Sequence, residues 1–507
     1  MSESNRDSFL LCRRGLLGAA ATAGGLAFLP SIFMPRTARA DLRPGAPATR
    51  VLILNMSGGI RSSAAFHAST RKKYNPYGLI TEVSGTELQL GRYLDDYCPA
   101  IGETAPAPAS TYALPGAWNG LALPRLRDLA SAFSVIATWS PERGDHIVAR
   151  TKEPTGSSAG DEPGILTRIG AGLYDALKKE ADFPTFHLVP AANFGKPGAF
   201  GRFAPVTLNG PGSLPGGEDY ALNRGEIEQL TGHDWAKDDA DRGTLDEAVI
   251  ARRAKSGREL AQQLALHRRA ARDIGATLAQ PFVNVASIDA QNAVLGKVDV
   301  NGQQTDLTNR MLRDLFLTTL AGAGTPTEHM AYPFAMDAAI AVRLLQLKSR
   351  AVCLEMGSWD YHSGEIDGRP LFAFLGRLWA ALAWLLKRIP DPEVQGKSLF
   401  DTTLVLTMSD FGRDAGSEQT GYNGGGGSDH GADPSCYTLA HAVMGAGVKG
   451  GKLRSKVSTQ TYRGDQADVT YSPRQLLAMT LWSLGLDHRN GAWGFEDVSD
   501  PIQAAWT

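Results

Sequence analysis

Cysteine is scarce in this chain. Only Cys12, Cys98, Cys353 and Cys436 occur in 507 residues, and they show no paired metal-ligand spacing and no cluster suited to iron and sulfur. Cys12 lies in a segment expected to be removed, and the three others cannot all pair, so disulfides do not organise the fold. Charge of one sign is lacking as well: 51 Lys and Arg against 53 Asp and Glu leave a formal net charge of −2, which offers no basic footprint for nucleic acid. No internal repeat and no dinucleotide-binding glycine fingerprint are present. The apolar stretch near the amino terminus is Gly-rich, is broken at Pro30, and falls short of the roughly 20 residues a membrane-spanning helix needs. What is present is 43% hydrophobic residues over a long chain, enough for a large globular core.

That amino-terminal stretch reads as a targeting segment. Cys12-Arg13-Arg14-Gly15-Leu16-Leu17 opens an Ala/Gly/Leu run, and Ala38-Arg39-Ala40 offers a small-x-small cleavage site, the pattern of a twin-arginine export signal. Residues 1–40 are therefore expected to be cleaved after engaging the twin-arginine translocase. Residues 41–507 would then form one periplasmic or secreted domain with no membrane span.

The mature chain alternates strand and helix patterns. Val51-Leu52-Ile53-Leu54-Asn55-Met56 reads as a strand ending in Ser57-Gly58-Gly59, where a glycine pair permits a sharp turn or a close backbone approach. Residues 95–121 read as loop, 123–132 as a modest helix with Pro124 in its first turn, 133–139 as a strand, 165–181 as a helix and 185–189 as a strand. Gly, Pro, Asn and Asp crowd residues 190–246, an irregular insertion placed like a lid or rim. Residues 247–274 read as a long helix with a charged, solvated face, and 307–320 and 336–347 as further helices. Near the carboxyl terminus, Ser472 as N-cap, Pro473, Gln475 and Gly485 mark one more.

Polar clusters follow the apolar runs of the last third. Gly357-Ser358-Trp359-Asp360-Tyr361-His362 follows Ala351-Val352-Cys353-Leu354-Glu355-Met356, and Ser409-Asp410-Phe411-Gly412-Arg413 follows Thr403-Leu404-Val405-Leu406-Thr407-Met408. Gly427-Ser428-Asp429-His430-Gly431 closes a glycine run. A helical repeat of leucines over residues 371–388 separates the first two, so the order strand, helix, strand puts both polar ends on one edge of a parallel sheet, where open α/β folds bind ligands. Asp360, His362, Asp410, Asp429 and His430 are expected to converge there. Trp359 is expected in the core. Arg413 either pairs with Asp410 or binds an anion, and His146, in the loop after residue 139, is either a supporting ligand or a surface residue.

These three clusters, in this order behind a twin-arginine leader and followed by Met444-Gly445-Ala446-Gly447-Val448-Lys449-Gly450-Gly451, resemble the exported family called domain of unknown function 1501, itself similar to the alkaline phosphatase and sulfatase superfamily. The resemblance implies an α/β, three-layer alkaline phosphatase-like fold, a central mostly parallel sheet with helices on both faces. It also implies a divalent metal held by Asp360, His362 and His430, with Asp410 and Asp429 facing a second. Imidazole mixed with carboxylate suits zinc, manganese or iron better than calcium, and the partner would be a small anionic ester.

At one place the chain departs from the family pattern. Where the family reads Gly-Gly-x-Asp, this sequence has Gly58-Gly59-Ile60-Arg61. Either Arg61 acts as an electrophile beside one metal, with Ser62 or Ser63 supplying a hydroxyl, or catalysis is lost. Two expectations follow: an exported metal-dependent hydrolase of phosphate or sulfate esters, or a non-catalytic periplasmic binding or assembly protein on the same fold.

Overall fold

The computed structural model describes residues 42–70, 75, 80–95, 111–113, 122–140, 146–157, 162–177, 185–188, 200, 203–208, 297–300, 303–306, 309–321, 328–346, 349–357, 359–360, 365–413, 438–455 and 471–507. Among the described residues, seven strands form the central sheet: β1 (Arg50–Met56), β2 (Phe133–Trp139), β3 (Phe186–Leu188), β4 (Val206–Leu208), β5 (Ala351–Met356), β6 (Thr403–Ser409) and β7 (Thr438–Met444). Their spatial order is β2-β7-β6-β1-β5-β3-β4. β1 pairs in parallel with both β5 and β6, and β3 in parallel with β5 and β4. Only β7 runs against its neighbours, β6 and β2. The ends of β1, β5 and β6 therefore lie side by side on one edge.

Side chains alternate between two cores with the period of two that a strand imposes. Val51, Ile53, Cys353, Leu404, Leu406 and Met408 face one side, packed with α2 (Ile165–Ala176) and α6 (Pro473–Ser483). Leu52, Leu54, Val352, Leu354 and Val405 face the other, packed with α3 (Asn309–Ala321), α4 (Glu328–Gln346) and α5 (Glu365–Leu386). Burial on both faces is why these strands read as unbroken apolar runs. Each Val, Leu or Ile so buried contributes about 1.5–3 kcal/mol relative to exposure. The starts of the strands are held by the buried Arg50, 2.6 Å from Asp391 and also paired with Glu393. Among the described residues no helix is long and apolar enough to cross a membrane.

The strand, helix, strand reading over residues 351–409 holds, as does the capping box of α6: Ser472 Oγ accepts from Gln475 N, Gln475 Oε1 accepts from Ser472 N, and Gly485 takes φ +77°. Elsewhere the boundaries differ. The stretch expected as a helix from residue 123 is a short strand, Ala122–Pro124, paired with Thr111–Ala113, then a 3-10 turn, Leu126–Ala132. Asp95 is the cause, because its buried carboxylate accepts from Arg127 N and Nε and its carbonyl accepts from Arg125, which ties the segment down residue by residue. α2 ends at Ala176, and α4 starts eight residues before the expected Met336, running through Pro333. The leader, the 247–274 helix and most of the 190–246 insertion lie outside the described residues.

Gly376 gives a test of packing against propensity. Gly to Ala inside a helix normally stabilises by about 1 kcal/mol, but a Cβ at this point of α5 would overlap the carbonyl oxygen of Leu94. Gly376→Ala should therefore destabilise by about 2 kcal/mol or more in chemical denaturation; a gain in stability would refute this packing.

Candidate functional site

At the end of β1, Gly58 and Gly59 take φ of +114° and +96°, conformations that L side chains rarely adopt. The lack of side chains also lets neighbouring chain close in. A Cβ on Gly58 would overlap the backbone of Asp360, and one on Gly59 would strike the ring of Phe411. Trp359 N donates to Ser57 O at 3.2 Å, and Ile60 N to Phe411 O at 3.1 Å, so the loops after β5 and β6 are stitched to the loop after β1. Trp359 is fully buried, edge-on to Phe372, as a core residue.

Two carboxylates converge on this loop. Asp410 is buried, and three donors fall on its Oδ2: Gly58 N at 2.9 Å, Arg150 Nε at 3.1 Å and His146 Nδ1 at 3.4 Å. Its Oδ1 makes no hydrogen bond to any described residue. Asp360 is the open member of the pair, its side chain 40% exposed, and its Oδ1 lies 2.9 Å from both His146 Nε2 and Arg413 Nη2. The His146 contact to Asp360 is an ion-pair approach rather than an aligned hydrogen bond. His146 thus stands between the two carboxylates and also packs on Phe411, ring centroids 4.8 Å apart.

Arg413, for which pairing with Asp410 or anion binding was expected, has Asp360 as its 2.9 Å carboxylate partner. Its fully buried guanidinium also donates to Gly59 O at 3.0 Å and to Gly58 O. Arg61 is 1% exposed and precedes a 3-10 turn, Ser62–Ala64. Ser62 and Ser63 are buried in that turn, and Ser62 Oγ accepts the backbone N–H of Ala440 on β7 at 3.0 Å. His362, Asp429 and His430 lie outside the described residues, so the structure brings together Asp360 and Asp410 of the five expected ligands.

Sequence reading missed the helix that supplies the other side of the site. α1 (His146–Thr155) follows the segment read as a polar loop, and Pro154 and Gly156 at its end disguise it. The usable signal was the spacing of His146, Arg150 and Glu153, which places them on one helical face. β7 was missed too, although Leu439 to Met444 is apolar apart from His441.

About two turns along α1 from His146, Glu153 is 5% exposed, with Oε1 lacking a hydrogen-bond partner and 3.9 Å from His441 Nε2. Burial pushes its carboxyl up from 4.5 to about 8, with the negative charge of Asp410 adding and Lys152 opposing. His441 shifts the other way, from 6.5 to about 4, because burial disfavours the imidazolium. Its Nδ1 donates to Thr407 O at 2.9 Å, which leaves Nε2 as acceptor for Thr138 Oγ1 at 2.8 Å. At neutral pH both groups are uncharged.

The donor types at this edge fit the divalent metal that the resemblance implies. Asp410 has an oxygen left over, Asp360 is open to solvent, and an imidazole stands between them, a mixed set suited to zinc, manganese or iron. Among the described residues, however, no group of three or more His, Cys, Asp and Glu is arranged to hold an ion. Any complete shell would need residues such as His362, Asp429 or His430.

Fold and site together define an α/β protein with a mostly parallel sheet and a charge-compensated acidic cluster at the strand ends flanking β1. The chain belongs to the family described as "Protein of unknown function (DUF1501)", whose family model matches residues 48–502. No curated protein matches it.

Glu153 predicts a measurable pH dependence. With the folded value raised above the unfolded one, the folded chain holds a proton that the unfolded chain has lost between pH 4.5 and 8, so this group's contribution is full below pH 4.5 and falls as pH rises through that window. His441 acts oppositely, losing stability as pH drops from 6.5 to 4. Glu153→Gln, which mimics the neutral acid, should lie close to wild type near pH 5 and exceed it at pH 9 by on the order of 5 kcal/mol. Denaturation curves whose difference does not change with pH would rule out a buried neutral acid here.

Proposed function

We propose that this protein is an exported, metal-dependent hydrolase of phosphate or sulfate esters on an alkaline phosphatase-like fold. The observation that carries this reading is the meeting of Asp360 and Asp410, from strands on either side of β1, at His146, with Asp410 Oδ1 left over. The loops after adjacent parallel strands are where such folds place their chemistry. A bound zinc, manganese or iron would supply Lewis acidity and a template for the attacking and leaving oxygens; Asp360 and Asp410, joined by His362, Asp429 and His430, would hold it.

The chain's own groups divide the remaining work. Gly58 N and Arg150 orient Asp410, and Arg413 fixes Asp360 against the glycine loop. His146, within reach of both carboxylates, is placed to hold a proton at Nε2 or Nδ1 and pass it to a leaving-group oxygen. Ser62 already accepts the Ala440 N–H, and both Ser62 and Ser63 are buried, so the attacking group that this geometry favours is water rather than either serine. Arg61, also buried, serves as fixed positive charge behind the loop.

A second reading, a binding protein without catalysis, is favoured by one specific feature. Arg413 and Arg150 already offset both carboxylates, and Arg61 stands where the family pattern has an acid, so the site can be stable with its charges balanced and no reaction to perform.

Turnover separates the two. Protein reconstituted with zinc, manganese or iron should hydrolyse at least one member of a panel of phosphate mono- and diesters and sulfate esters. Asp410→Asn and His362→Ala should each lower kcat/KM by about 100-fold or more. Wild type that is inert across the panel, or activity that survives both substitutions, would leave binding as the better account. Export has its own test: the mature protein should begin at Asp41, and Arg13→Lys with Arg14→Lys should leave precursor in the cytoplasm. Normal processing of that double variant would exclude the twin-arginine route.

A further inference from the structure

We infer that Arg150 is the oxyanion anchor of this site, the group that receives the phosphate or sulfate moiety of the ligand at the mouth between α1 and Asp360. This rests on the reading of the edge as an ester or anion site, and it names a residue that neither the sequence pattern nor the family resemblance singles out.

The first argument is how little of this guanidinium the protein uses. Arginine–carboxylate pairs are frequently bidentate, with two parallel N–H bonds that use most of the fork. Arg150 meets Asp410 through Nε alone, at 3.1 Å, and its two terminal nitrogens make no hydrogen bond to any described residue. Asp410 does not depend on it for satisfaction either, since Gly58 N and His146 Nδ1 fall on the same Oδ2. The Nε contact fixes the direction of the guanidinium, and the terminal nitrogens are left to something outside the described structure.

The second argument is access. The Arg150 side chain is 31% exposed, whereas that of Arg413 is 0% exposed and Arg61 as a residue is 1% exposed. Arg413 is committed to Gly58 O, Gly59 O and Asp360, and Lys152, on the same helix, donates to Ser140 Oγ at 2.8 Å. Arg150 therefore combines a pinned orientation with open donors in a way these other cations do not. It stands four residues after His146 on one face of α1, so an oxyanion held by its fork would lie beside the imidazole and the open Asp360 carboxylate. The matching ligand chemistry is a tetrahedral oxyanion with two oxygens in one plane, which a phosphate or sulfate group supplies.

Calorimetric titration of the full chain with inorganic phosphate and with sulfate, each with and without added zinc, tests this. Wild type should bind at least one anion in at least one condition. Arg150→Gln should weaken that binding by about 10- to 100-fold, and Arg150→Lys by about 10-fold, because lysine keeps the charge and the pairing with Asp410 but loses the planar fork. Anion affinity unchanged in Arg150→Gln, with only its melting temperature lowered, would show that Arg150 is merely a structural partner of Asp410 and overturn the inference. So would a wild type that binds neither anion in either condition. If Arg150→Gln does not fold, the Lys variant decides, with unchanged affinity counting against the proposal and weakened affinity for it. Ester turnover is read separately. Arg150-dependent anion binding without turnover removes the hydrolase reading and keeps this one. Turnover that Arg150→Gln leaves untouched does the reverse.

Discussion

The buried guanidinium of Arg413 ties three strand ends into one surface. It donates to the carbonyls of Gly58 and Gly59 after β1 and to the carboxylate of Asp360 after β5, while its own chain emerges from β6. Backbone carbonyls turned inward need a partner, and this cation gives two of them one. The glycine conformations and the contact with Arg413 support each other: only residues without a side chain let the Asp360 backbone and the Phe411 ring approach this closely. The positions of Asp360 and Asp410 follow from that closure.

Charge at this edge is arranged by depth. At the mouth, Asp360 and Asp410 face Arg413, Arg150 and His146, so the two negative charges are compensated by groups of unequal commitment. Beneath it, Glu153 and His441 carry no charge at neutral pH, because ionising either in a buried setting is more costly than staying neutral. α1 spans both levels, with His146 and Arg150 at the opening and Glu153 inside. The negative charge of Asp410 adds to the burial that keeps the Glu153 carboxyl raised. The deeper arginines are fixed by the fold.

Much of this was legible in residue order. The runs at β1, β5 and β6 are apolar without interruption because each strand is buried on both faces, and that pattern needs no partner to be recognised. The α6 capping box is equally local, since its donors and acceptors lie within three residues of one another. The helix expected from residue 123 failed for the opposite reason: Asp95, some thirty residues away, supplies the bonds that decide its shape. Likewise β7 is a strand because it fits between β6 and β2, and α1 is a helix despite a proline and a glycine at its end.

The sequence by itself determined the α/β class, the strand ends that carry acid, and the edge on which Asp360 and Asp410 stand, because strand periodicity and the right-handed crossover are short-range rules that residue order obeys. Only the tertiary structure decided which cation meets which acid. Arg413 faces Asp360, Arg150 and His146 face Asp410, and Ser62 is engaged by Ala440. Those pairings join residues tens to hundreds of positions apart, and electrostatic and hydrogen-bonding contacts are fixed by distances of about 3 Å that no spacing along the chain encodes.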